Sequence, residues 1–222
     1  MASLVTYKYI KQNPDIMEYI RRADKTLEAM GYTEHSFPHV ERVAATAEMI
    51  LKTLGYDERT VELAKIASIM HDIGNVINRI DHAQSGAVMA FRLLDNLSMP
   101  ASEICSIIAA IGNHDEGTAQ PLDAISAAMI IADKADVRRS RVRNTDLTTF
   151  DIHDRVNYAV VMSGVNFSED RKTLILELQI DTEISSVMEY FEIFMNRMIL
   201  CKRASAFLGL KFELIINGSK IL

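Results

Sequence analysis

Apolar residues recur at helical spacing through the first two-thirds of the chain, and the pattern changes after Asp151. Ile16, Ile20, Ala23, Leu27 and Met30 follow one another at three or four residues, which predicts an amphipathic helix from Pro14 that stops at Gly31. A second helix opens at Ser36 and Pro38 and runs through Val43, Ala47, Ile50 and Leu54 to Gly55, with proline and glycine where helix ends prefer them. Asp57 is placed to cap a third, whose members Val61, Ala64, Ile66, Ala67, Ile69 and Met70 leave almost no polar face and so predict burial. This helix runs into His71 and Asp72 before Gly74 breaks it. Further helices are expected over about 82–97 with Asp81 as its cap, from Pro100 to Ile111, and as one long element from Pro121 to Arg143.

From Asp151 the reading is a helix to Met162, strands at Val165–Phe167 and Thr173–Ile180 joined through Glu169–Lys172, a helix from Glu183 to Phe207, and a last strand Lys211–Ile216. The fold class is therefore mainly α: a helical bundle over residues 1–150 with a small α+β appendage over 151–222. No repeat, low-complexity tract or Pro/Gly-rich linker separates the two, which leaves room for a single compact unit.

Composition narrows the function classes. With 49% hydrophobic residues in 222, a real core can be filled. The excess of 30 acidic over 24 basic residues, a net charge of -6, argues against binding a nucleic acid polymer or an anionic membrane. Neither a secretory signal nor an apolar run near the roughly 20 residues of a bilayer span is visible, so a cytoplasmic protein is expected. Cys105 and Cys201, far apart in apolar helical patterns, read as buried reduced thiols.

The chemistry lies in the histidines. Five of six precede residue 115, and His39, His71 with Asp72, His82, and His114 with Asp115 all fall at helix ends. Imidazole and carboxylate together suit divalent transition ions, and groups on separate helices converge only when folding brings those ends together. Asp133 sits in the apolar stretch Ile130-Ile131-Ala132-Asp133, where a carboxylate needs a partner, and a cation is one that the histidines would share. His35 lies before the helix start and reads as a non-ligand. His153 reads as part of a surface helix start.

The ordered set His39, His71-Asp72, Asp133, with Met70-His71-Asp72-Ile73-Gly74 ending an apolar helix, resembles the H…HD…D pattern of HD-domain metal-dependent phosphohydrolases over residues 36–143. That resemblance implies an HD-domain helical bundle holding one divalent ion on these four residues, with Asp72 central to catalysis. His82 and His114 resemble the added histidines of dinuclear members, in which the Asp of the central pair bridges two ions. One or two ions of Fe, Mn, Mg, Zn or Co are expected, and a metal-activated water would attack a phosphate ester or anhydride.

Two subfamilies are nearest. HD-GYP cyclic dinucleotide phosphodiesterases share His71-Asp72-Ile73-Gly74 and the added histidines, but Asn75 stands where a Lys is usual and Glu116-Gly117-Thr118 where Gly-Tyr-Pro follows. Bacterial dinucleoside tetraphosphate hydrolases of the superfamily are similar in size and in an Ala-Asp-Lys helix running into arginines, here Ala132-Asp133-Lys134 to Arg138-Arg139, and this likeness is somewhat the closer. The expected substrate is a small phosphorylated molecule of nucleotide type. A non-catalytic nucleotide-sensing module is the reading of another class.

Asn75, Lys134, Arg138 and Arg141 are the substrate-binding candidates. On a helix rising 1.5 Å per residue, Arg141 would lie about 12 Å along the axis from Asp133, within reach of a distal phosphate or base. The alternative is that the arginines Arg138, Arg139, Arg141 and Arg143 complement a helix end and face solvent. The tail may be assigned one of three roles, closing the pocket, forming a homodimer contact or hosting a partner, and the residues leave all three open.

Overall fold

The computed structural model describes residues 4–222. It is mainly helical, with a small four-stranded sheet at the C-terminal end. Two helices open the chain, α1 (Tyr7–Gln12) and α2 (Pro14–Ala29), capped by Thr6 and Asn13 side chains that accept from early backbone amides. The sequence reading had no counterpart for α1, six residues being too few to show a period. Then come α3 (Phe37–Thr53), α4 (Glu58–Met70), α5 (His82–Asn96), α6 (Ala101–Gly112) and α7 (Ala124–Lys134). Asp57 caps α4 through its side chain as expected. Asp81 precedes α5 in a left-handed conformation and makes no side-chain cap bond, contrary to expectation.

The centre of the bundle is α7, of whose residues only Ala124 is not buried, and it packs against α3, α4 and α6. It ends at Lys134, not at Arg143. Residues 135–138 leave the helix, and a short 3-10 turn follows at Arg139–Arg141. The arginines therefore do not extend a helical rod away from Asp133, and Arg141 is not set about 12 Å along a helix axis from it as expected.

The C-terminal part holds α8 (Ile152–Ala159), β1 (Val160–Phe167), β2 (Thr173–Ile180), α9 (Val187–Phe207), β3 (Lys211–Ile216) and β4 (Ser219–Lys220). The expected helix through Met162 gives way to β1 at Val160, because Val160 and Met162 pair with Ile180 and Gln179 across a bulge. Around β2 the order is β1-β2-β3-β4, antiparallel, parallel and antiparallel, with α9 as the crossover between the parallel pair. Ser186 and Glu189 form a capping box at its start, later than Glu183.

Helix α9 packs on β3 with one side and on α7 with another, burying Tyr190, Phe194, Met198 and Cys201. Buried apolar side chains from Val5 to Ile216 thus form one continuous cluster. Cys201 is in it, its thiol pushed up to about 12 by burial, whereas Cys105 lies exposed on α6, against the expectation of burial. Among the described residues no helix is long and apolar enough to cross a membrane.

Candidate metal centre

Five elements bring six side chains to one point. His39 comes from the first turn of α3, His71 and Asp72 from the end of α4, His82 from the first residue of α5, His114 from just beyond α6, and Asp133 from the last turn of α7. All six are buried. Gly74 makes the approach of α4 and α5 possible: a β-carbon there would collide with the His82 carbonyl and lie 2.5 Å from the Gly86 amide nitrogen. The close packing of the 3-10 turn Ile73–Val76 on α5 is what carries His82 to Asp72.

The imidazoles are oriented from behind. His71 Nδ1 donates to the Ser68 carbonyl at 2.7 Å, His82 Nδ1 to Arg79 at 3.0 Å and His114 Nδ1 to Ile111 at 2.6 Å. The first and third use carbonyls that the ends of α4 and α6 leave without an intrahelical partner. His39 differs, its Nδ1 meeting the Asp136 carboxylate at 2.8 Å. A carbonyl cannot donate, so in the neutral rings the proton sits on Nδ1 and every Nε2 presents a lone pair to the centre.

Those lone pairs need a cation. His39 Nε2 and His71 Nε2 are fully buried without a hydrogen-bond partner among the described residues, and His82 Nε2 lies 3.2 Å from His114 Nε2. Asp72 divides its oxygens between two groups. Oδ2 is 3.2 Å from His71 Nε2 and 3.8 Å from His39 Nε2, while Oδ1 is 3.5 Å from His82 Nε2 and 3.8 Å from His114 Nε2. Asp133 Oδ1 joins the first group, 3.4 Å from His39 Nε2 and 3.7 Å from His71 Nε2. These spacings of 3.2–3.8 Å suit His and Asp groups around a divalent ion, and Asp72 belongs to two of the three candidate ligand groups, the third being His71, His114 and Asp133.

The electrostatics agree. Burial opposes ionisation of Asp72 and Asp133, yet His71 beside the first and Lys134 beside the second hold both well below the usual carboxylate range. Burial pulls His82 down to about 4, whereas at His71 the two carboxylates outweigh burial and raise the imidazole to about 8. Lys134 pairs with Asp133 Oδ2 at 2.7 Å and with Glu116 at 3.3 Å, leaving Asp133 Oδ1 to the histidines.

The substrate-binding candidates disperse. Asn75 is turned to the centre's support, its Nδ2 donating to Asp72 Oδ1 at 2.9 Å. Arg141 is buried, donating to the carbonyls of Glu34 and Asp136 at 2.8 and 2.7 Å, and lines the cavity above the metal ligands. Arg138 is bound to Asp136 at 2.9 Å and lies with Arg42 and Arg139 in a separate depression, which the structure does not join to the centre. Arg139 donates to the Tyr158 carbonyl and Arg143 pairs with Asp24, so the arginines staple the chain instead of facing solvent as a set.

Sequence reading missed Arg79 and Arg197, which with His35 and Arg141 stand between the ligands and an outer cavity of about 400 Å³. Arg79 sits in a loop and Arg197 on α9, where neither spacing nor an acidic neighbour marks them. His35 does lie outside α3, its Nδ1 on the Thr33 carbonyl at 2.7 Å, and its ring centroid is 5.4 Å from that of His39. His153 stands exposed in the first turn of α8, as the surface helix start assigned to it requires, and also lines the outer cavity.

The clustered His and Asp side chains and the bundle that carries them point to a class. The sequence profile of the HD domain matches residues 37–147, half of the chain, and the chain belongs to that family. A solved structure described as a predicted HD superfamily hydrolase, from an uncultured Thermotogales bacterium, is 28% identical, with a match covering 56% of this chain and 67% of that one and a TM-score of 0.44. No curated protein matches.

Proposed function

We propose that the protein is a metal-dependent phosphohydrolase that cleaves an ester or anhydride of a small nucleotide or related phosphorylated metabolite. The observation that carries this reading is the convergence of four Nε2 lone pairs and two carboxylates beneath a cavity whose throat is lined by three guanidinium groups. His39, His71, Asp72 and Asp133 would hold one divalent ion, and Asp72, His82 and His114 a second, the mixed nitrogen and oxygen set suiting iron, manganese, zinc or cobalt, and its carboxylates magnesium. Divalent ions held there would lower the pKa of water towards neutrality and offset charge on the phosphate oxygens.

The chain's own residues select and hold the anion. Arg79 has no carboxylate within ion-pair distance among the described residues; its Nη1 lies 3.2 Å from His82 Nε2 and 3.4 Å from Asn75 Oδ1, and its guanidinium can meet phosphate oxygens. Arg141 and Arg197 add positive potential while remaining tied to Asp136 and Glu116. Asn75 fixes Asp72, Lys134 fixes Asp133, and Asp136 fixes His39, so the centre is held without rearrangement. Burial of the ligand face excludes bulk water from all but the cavity side.

Asp72→Ala removes the carboxylate common to both ligand groups. It is expected to strip metal from the purified chain and to lower turnover of a generic aryl phosphate by about a thousandfold or more, some 4 kcal/mol of barrier. Retained metal and turnover in that variant would overturn the centre. A panel of mononucleotides, a dinucleoside polyphosphate and a cyclic dinucleotide, screened with each of the five metals, then separates the substrate classes. Binding without turnover across the panel would favour a sensing module.

A further inference from the structure

The cavity above the metal ligands changes character from floor to mouth. Its throat is cationic, ringed by Arg79, Arg141 and Arg197. Its mouth is not. There the C-terminal part supplies Asp151, Asp154 and Asn157 from α8 and its cap, opposite Tyr32 of the core.

The three mouth residues all offer oxygen acceptors. Asp151 accepts from the Asp154 amide at 2.8 Å, and Asp154 from Asn144 Nδ2 at 3.2 Å. No lysine or arginine among the described residues lies within ion-pair distance of either carboxylate; His153 Nδ1 is 3.9 Å from Asp151 Oδ2. Asn157 is only 6% exposed, and its Nδ2 is committed to the His153 carbonyl at 2.8 Å. Its Oδ1, facing the cavity, accepts from none of the described residues. An amide oxygen open to the cavity, beside two carboxylates, suits a ligand that brings O–H or N–H groups.

We propose that this mouth is the subsite for the alcohol portion of the substrate, and that it admits a neutral, donor-rich group of nucleoside or sugar size while rejecting one that bears a second phosphate. The assignment rests on the phosphohydrolase reading for the position of the scissile phosphate below the arginines. A volume of about 400 Å³ belongs to the lower part of the roughly 300–1,000 Å³ range of small-molecule pockets, enough for one such group. Tyr32, with the Arg79 guanidinium 5.7 Å from its ring centroid, gives a planar base a surface to stack on. A second phosphate at the mouth would face two like charges in partly solvated surroundings, a penalty of about tenfold in affinity for the pair.

The test uses the full chain loaded with manganese. Specificity constants are compared for adenosine monophosphate, ribose phosphate, an adenosine bisphosphate with two separate sugar hydroxyls phosphorylated, and an aryl phosphate lacking donors. The monophosphates are expected to exceed the bisphosphate by about tenfold. Turnover of ribose phosphate as fast as the nucleotide would identify a sugar as the group read, and slower turnover a nucleoside. Asp151→Asn combined with Asp154→Asn keeps the cap and acceptor oxygens, removes both charges, and is expected to narrow the discrimination to within about twofold.

Equal constants for monophosphate and bisphosphate in the unaltered chain, or an unchanged ratio in the double variant, would overturn the subsite. Turnover of the aryl phosphate in the same preparation would leave the phosphohydrolase reading standing in that event. If no phosphate is hydrolysed, that reading fails separately. Calorimetric titration with the monophosphate and the bisphosphate still decides the mouth, tenfold tighter binding of the former supporting it and equal affinity overturning it.

Discussion

The helical core and the C-terminal part meet at one cavity but furnish it by different physics. In the core, the candidate ligands come from five helix ends, each oriented by a backbone carbonyl, a carboxylate, an amide or, for Asp133, the Lys134 ammonium. In the C-terminal part, a sheet and α9 form an apolar mass against α7, and only the edges of α8 and α9 reach the cavity. The contrast is that the candidate ligands come from the helical core alone, whereas the cavity above them is lined by both parts. Ligands need angular precision, which helix ends backed by hydrogen bonds provide. A mouth needs only charge and acceptors in the right neighbourhood.

That comparison can be broken most severely at Gly74. Gly74→Ala drives a methyl group into the His82 carbonyl and the Gly86 amide, backbone atoms that cannot move without shifting α5. A loss of about 3 kcal/mol or more of stability is expected, read by denaturant unfolding, together with loss of the second metal equivalent by elemental analysis. A variant of native stability holding two equivalents would show that the α4–α5 approach is not what builds the second site.

A smaller effect sharpens the distinction among the histidines. His39 alone is backed by a carboxylate, and Asp136 is in turn held by Arg42 at 3.1 Å and Arg138 at 2.9 Å. Asp136→Asn keeps the volume and removes the charge, and should weaken metal binding by about 10- to 100-fold in a chelator competition. Unchanged affinity would mean that the carboxylate adds nothing beyond what the carbonyls give His71 and His114.

The smallest effect belongs to the C-terminal part. Arg155, and then the Ser186 amide, hold Glu189 at about 2, below the ordinary carboxylate value near 4.3. A depressed folded value means that its contribution is complete above the unfolded pKa and is lost as pH falls through the folded one. Glu189→Gln should therefore lower the melting temperature slightly at pH 7, with the difference from the unaltered chain shrinking between about pH 5 and pH 2. Metal content should not change. Loss of metal in this variant would show that α9 and the ligand cluster are coupled more tightly than the comparison allows.

Much of the core was legible because its signals are local. Periodic apolar residues marked α2 to α6 within a few positions, and histidines at helix ends stood out against that pattern. The arginines after Lys134 misled because a run of helix-compatible residues hid the chain's departure at Ala135. Arg141 there is drawn instead to the Glu34 carbonyl, and the Glu34 amide to the Arg141 carbonyl, a long-range exchange no window contains. Val160 and Val161 were read as helix because their partner strand lies twenty residues on, and pairing overrode the local pattern.

The amino-acid sequence by itself determined which side chains could bind a cation and that they would sit at helix termini, since residue type and period are both properties of short segments. Tertiary structure alone decided that Asp72 turns one oxygen to His39 and His71 and the other to His82 and His114, that Asp136 stands behind His39, and that α8 and α9 complete the cavity. These are relations between residues up to about a hundred positions apart. They exist only once burial of the shared apolar core has fixed the helices against one another.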